Sequence, residues 1–69
     1  MLPQVGDVVF INLRNEGIKC HAVVLAVNEE RKLPIRVHSE QPFEYFDNMP
    51  LYVFSVALNE IVEVDNEGG

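Results

Sequence analysis

The chain has one cysteine, no tryptophan and four glycines in 69 residues, and no Lys or Arg follows Arg36. The single cysteine, Cys20, excludes an internal disulfide framework and suits a reducing compartment. Long apolar runs are missing too. The longest nearly uncharged one, residues 22–27, is far short of the roughly 20 residues a membrane helix needs. Met1-Leu2-Pro3-Gln4 lacks the basic segment and apolar run of a secretory signal. The expectation is a cytoplasmic protein with no membrane segment. There is no internal repeat and no heptad pattern, so solenoid and coiled-coil architectures are excluded.

What is present is a short, apolar and acidic chain. Hydrophobic residues make up 48%, which argues for a packed core rather than disorder. They are mainly Val, Ile and Leu, the enrichment expected of strands. The formal charge of -6 is unevenly placed. Arg14, Lys19, Arg31, Lys32 and Arg36 are all the basic residues, whereas Glu40, Glu44, Asp47, Glu60, Glu63, Asp65 and Glu67 follow them without a cation. Phe43, Tyr45, Phe46, Tyr52 and Phe54 lie in the same acidic half. Such a surface repels phosphates and attracts basic or apolar protein surfaces. A chain of this size is one domain near the lower limit of a self-sufficient core, so monomer and homodimer are both expected states.

Alternation divides the chain into strands. Residues 8–13 (VVFINL) place Val9, Ile11 and Leu13 on one face and Val8, Phe10 and Asn12 on the other. Arg14-Asn15-Glu16-Gly17 is a tight turn. A long second strand over residues 18–28 begins with a wet face at Lys19 and His21. It then becomes apolar on both faces from Val23 to Val27, which predicts full burial and a bend. After a charged tip at residues 29–32, residues 33–38 alternate with Leu33, Ile35 and Val37 inward. Residues 39–50 carry two prolines, acidic residues and three aromatics without a period, and read as a long functional loop. Strands over residues 51–56 and 61–64 follow, separated by one helical turn, of 3-10 type, at residues 57–60. Residues 65–69 read as a disordered acidic tail after a single domain, residues 1–64.

This order of strands and turns resembles the SH3-like small β-barrels, including Tudor-type and KOW-type domains. Val5-Gly6-Asp7-Val8-Val9, the strand ending Val24-Leu25-Ala26-Val27-Asn28 and the closing Leu58-Asn59-Glu60-Ile61-Val62 carry the likeness. It implies an all-β fold, a five-stranded SH3-like barrel, from which the chain departs in one place: the long aromatic loop between strands 3 and 4, residues 39–50, stands where the family has a short hairpin. In Tudor-like barrels aromatic rings and a carboxylate at the rim form a cage for a methylated ammonium, and Tyr45, Tyr52, Glu44 and Asp47 are the residues here that would build one. Against that stands a plainer role for Phe43, Phe46 and Phe54, as a lid on the open end of the barrel.

Reactive side chains are sparse. Cys20 and His21 are neighbours on a strand and point to opposite faces, so they do not grip one metal ion, and no metal or other cofactor is expected. A Cys20–His38 dyad is disfavoured by the apolar face that Cys20 shares with Ile18, Ala22 and Val24, and the chain is not expected to be an enzyme. Lys19, His21, Arg36 and His38 form at most a weak basic strip, so nucleic acid is an unlikely partner. The expected function is a protein-interaction module with Phe43, Glu44, Tyr45, Phe46, Asp47 and Tyr52 as its partner-binding residues. The alternative is a small acidic inhibitor, of phage or mobile-element type, whose Glu40, Glu44, Asp47, Glu60 and Glu63 imitate nucleic-acid phosphates, and a further alternative is a nucleic-acid-binding barrel that uses the weak basic strip.

Overall fold

Alternation of Val9, Ile11 and Leu13 with Val8, Phe10 and Asn12 produces the first strand, β1 (Val8–Leu13), whose two faces differ sharply in exposure. A computed structural model describes residues 2–65. The turn after β1 is tight because Arg14, Asn15 and Gly17 all adopt left-handed backbone angles, and Asn12 Oδ1 accepts a hydrogen bond from the Gly17 N–H at 2.7 Å. It leads into β2 (Ile18–Val27), which pairs antiparallel with β1 from Leu13↔Ile18 to Val8↔Val23. Further strands are β3 (Ile35–Ser39), β4 (Glu44–Phe46), β5 (Met49–Leu51), β6 (Val53–Val56) and β7 (Ile61–Asp65). A 3-10 turn, Leu58–Glu60, sits between β6 and β7.

The molecule is therefore all-β. Five strands form an antiparallel sheet in the order β6-β3-β2-β1-β7, and β4 and β5 form a separate two-stranded ribbon. The expected closed barrel is not formed: β6 and β7 are the two ends of the sheet and do not pair. The sheet nevertheless curls. If it were flat, its end strands would stand about 19 Å apart at four strand spacings. The connection from Val56 to Ile61 reaches at most about 14 Å, because three of its residues are wound into the 3-10 turn. Curling also explains how a single sheet, with no helix to cover it, buries Val9, Ile11, Leu13, Cys20, Ala22, Val24, Ile35, Val37 and Val56.

Two boundaries differ from the sequence reading, and each has a local cause. The apolar run of β2 is not buried on both faces. Leu25 is a bulge residue, skipped between the Val24↔Val37 and Ala26↔Arg36 pairs, so Val24 and Val27 both face inward while Val23 and Leu25 stay exposed. The predicted bend is this bulge. Leu33, expected inward, is exposed. The Pro34 carbonyl accepts from Asn28 N–H at 2.8 Å to close the turn, and the strand begins only at Ile35. At the far end Asp65 belongs to β7, and the remainder of the expected tail, residues 66–69, lies outside the described residues.

Candidate functional site: a projecting β-ribbon and the groove beside it

Residues 39–50 are not a loop. The pairing of β3 with β6 runs from Ile35↔Val56 to His38↔Val53 and continues through a Ser39 N–H to Tyr52 carbonyl bond of 2.8 Å. Residues 40–43 are then inserted on one side only. This large bulge turns the chain off the sheet, and pairing resumes as Glu44↔Leu51, Tyr45↔Pro50 and Phe46↔Met49. Asp47 and Asn48 close the ribbon with φ of 51° and 67°. Two successive left-handed residues make a type I′ turn, the one whose twist matches a two-residue hairpin, and Asx residues tolerate it best after glycine. Pro50 fits because β5 is an edge strand, where a missing N–H leaves no ladder bond unmade.

Period-two geometry sorts the ribbon's side chains. Phe46 and Met49 are cross-strand neighbours, with Glu44 and Leu51 next along the same face; Tyr45 and Pro50 point to the other. Phe46 is 73% exposed, and Tyr45 and Met49 are each 67% exposed. A chain that buries Ile11 and Val37 completely thus leaves Phe46 and Met49 open to water.

The predicted site residues separate into three groups. Glu44, Tyr45, Phe46 and Asp47 lie together on the ribbon. Phe43 lies at its base, edge-on to Phe54 with ring centroids 5.9 Å apart, and both pack against the core. Phe43 and Phe54 therefore cover part of the core, whereas Phe46 stands in solvent. Tyr52 leaves the ribbon altogether and stacks on His38, centroids 5.7 Å apart and planes inclined by 17°. Tyr45 thus lies opposite Pro50 on the ribbon, while one face of the Tyr52 ring is taken up by His38.

Beside the ribbon's base, the outward face of the sheet holds a groove of about 310 Å³ lined by Val8, His21, Val23, His38, Glu40 and Tyr52, among others. Glu40 Oε1 accepts from the His21 backbone N–H at 3.1 Å and lies 3.9 Å from His21 Nδ1. The His21 ring is tilted against Phe10 at 4.8 Å. Lys19, His21, Arg36 and His38 do share this exposed face, but Glu40 interrupts them. Cys20 points the other way, into the core, where its Sγ is 3.2 Å from Ser39 Oγ. Cys20 and His38 therefore occupy opposite faces of the sheet.

Glu60 is the residue whose role the sequence reading misplaced. It is 3% exposed and cannot serve as a surface phosphate mimic. Its carboxylate accepts from the backbone N–H groups of Arg14 and Ala57 and from the Arg14 guanidinium at 3.1 Å. The same guanidinium donates to the Ser55 carbonyl at 3.2 Å. Arg14 thereby ties the end of β6 to the start of β7. A sequence signal existed: a Glu three residues after the start of a helical turn is a capping position.

Comparison with protein-family models, curated proteins and solved structures finds no match to this chain.

Proposed function

We propose that the protein is a non-catalytic interaction module of SH3-like architecture that docks through its projecting β-ribbon onto an apolar, basic-rimmed surface of a protein partner. The observation that carries this reading is the exposure of Tyr45, Phe46 and Met49 on a ribbon held by a tight turn. Phe46 and Met49 are exposed cross-strand neighbours on one face and Tyr45 is exposed on the other, and exposed aromatic and apolar side chains of this kind are the usual chemistry of a binding hot spot. The carboxylates of Glu44 and Asp47 flank it, and no cation follows Arg36 in the sequence, so a basic rim on the partner complements it. The SH3-like assignment draws support from the curled five-stranded sheet and the 3-10 turn before its last strand. The phosphate-mimic reading is weaker, because one of its five carboxylates, Glu60, is spent inside the fold.

The test is affinity capture with the natural protein and with a Phe46→Ser, Met49→Ser variant. The variant loses the captured partner while its thermal transition stays in place, since exposed substitutions shift stability by only about 0.5 kcal/mol. Retention of the partner by the folded variant overturns the reading.

A further inference from the structure

The groove on the outward face is a second site, built from different residues than the ribbon. Cross-strand register lays out its floor. Val53, His38, Val23, Val8 and Asp65 lie side by side across the sheet, and Glu63, Phe10 and His21 form the next row. The centre of this face is apolar and aromatic, and carboxylates stand at both flanks: Glu40 beside His21, and Glu63 and Asp65 along β7. Lys19 and Arg36 are on the same face, opposite Asn12 and Ser55, in rows that do not contain the lining residues Val8 and Val23.

Three features converge on one kind of occupant. The stacked His38–Tyr52 pair offers a planar ring wall. Val8 and Val23 offer an apolar floor, suited to an aliphatic stem. Glu40 uses Oε1 for the His21 N–H, while Oε2 has no hydrogen-bond donor among the described residues. A guanidinium meets all three at once: it stacks on rings, is weakly hydrated for a cation, and donates in a fork to a carboxylate. An ammonium is a strongly hydrated point charge and gains less from a ring wall. An acidic occupant would meet Glu40 and Asp65 on a chain of net charge -6.

We infer that this groove binds an arginine side chain presented by an extended segment of a partner protein, with the guanidinium between Tyr52 and Glu40 and its stem over Val8 and Val23. The site does not depend on the ribbon reading. At about 310 Å³ it is at the small end of ligand pockets, the scale of one side chain rather than a whole cofactor.

The experiment is a titration of the ¹⁵N-labelled protein with the capped peptide Gly-Gly-Arg-Gly-Gly, followed by amide chemical shifts. The expected result is saturable shifts at His21, Val23, His38, Glu40 and Tyr52, absent with the citrulline peptide, which keeps the shape and loses the charge. Glu40→Gln keeps an acceptor for the His21 N–H and weakens binding about tenfold, the weight of one charge-assisted hydrogen bond. Tyr52→Leu, which keeps a core-compatible side chain, weakens it as well. The Phe46→Ser, Met49→Ser variant binds the peptide unchanged, which separates this site from the ribbon. Three outcomes overturn the inference: no saturable shift up to about 10 mM peptide, equal binding of citrulline or norleucine peptides, or shifts confined to the ribbon.

Discussion

At Arg14 the backbone adopts φ of 53°, a left-handed conformation that costs a residue with a Cβ about 1–2 kcal/mol. The environment offsets that cost. The Arg14 N–H and guanidinium both reach Glu60, whose carboxylate is buried and also receives the Ala57 N–H. Removing the carboxylate would strip two backbone donors and one cation of their acceptor while the strained turn remains. Because the Arg14 side chain is partly exposed, solvent recovers some of that loss. Glu60→Ala is expected to lower stability by about 2–3 kcal/mol, measured as a fall in the denaturant midpoint at unchanged slope. A midpoint within error of the natural protein's would show that Arg14 does not clamp the sheet ends. Nothing in residues 14 and 60 alone announces the pair. They are 46 positions apart, and the antiparallel pairing of β1 with β7 brings them together.

The ribbon of β4 and β5 shows what an element needs beyond a hydrophobic pattern. Its strands are three residues long, carry a proline and bury nothing, so neither periodicity nor composition distinguishes them from a loop. The legible signal was Asp47-Asn48, two Asx residues between short aromatic and apolar stretches. The β2 strand taught a related lesson. Its apolar run is uniform in sequence, and the bulge at Leu25 decides which residues face the core. An element-level prediction follows from the turn. Proline fixes φ near -65°, so Asn48→Pro is incompatible with the 67° observed there. The variant should lose partner capture while its thermal transition moves little, because the ribbon pairs only with itself. A large drop in Tm would mean that the ribbon is part of the cooperative core. Phe43 is the boundary between the two regimes: it packs on Phe54 and the core, and it anchors the ribbon without belonging to its exposed face.

Across the whole molecule, eleven carboxylates face five cations, and one of those cations is committed to the Arg14–Glu60 pair. Excess like charge destabilises a compact state through self-repulsion, and salt screens it over a Debye length of about 8 Å at 0.15 M. Tm should therefore rise between low salt and about 0.15 M NaCl, a range in which chloride acts mainly by screening. A fall over that range would point instead to surface ion pairs as the dominant electrostatic contribution. The same net charge of -6 repels phosphates at long range. It also steers the molecule towards basic surfaces, consistent with both proposed sites, the ribbon flanked by Glu44 and Asp47 and the groove flanked by Glu40 and Asp65.

The division of labour between sequence and tertiary structure is clear in particular residues. Alternation alone determined that the chain is all-β, that Val9, Ile11, Leu13, Ile35 and Val37 face inward, and that a helical turn precedes the last strand, because side-chain period and turn chemistry are local properties. Composition alone determined the acidity of everything after Arg36. Tertiary structure decided the rest: that Phe46 is open to water while Phe43 is not, that Tyr52 stacks on His38, that Glu60 is buried and that the sheet curls without closing. Each of these depends on pairing partners far apart in the chain, on one-residue bulges that reverse which face a side chain takes, and on a four-residue insertion that sends the ribbon off the sheet. Small shifts of register leave the composition untouched and move every side chain beyond them to the opposite face.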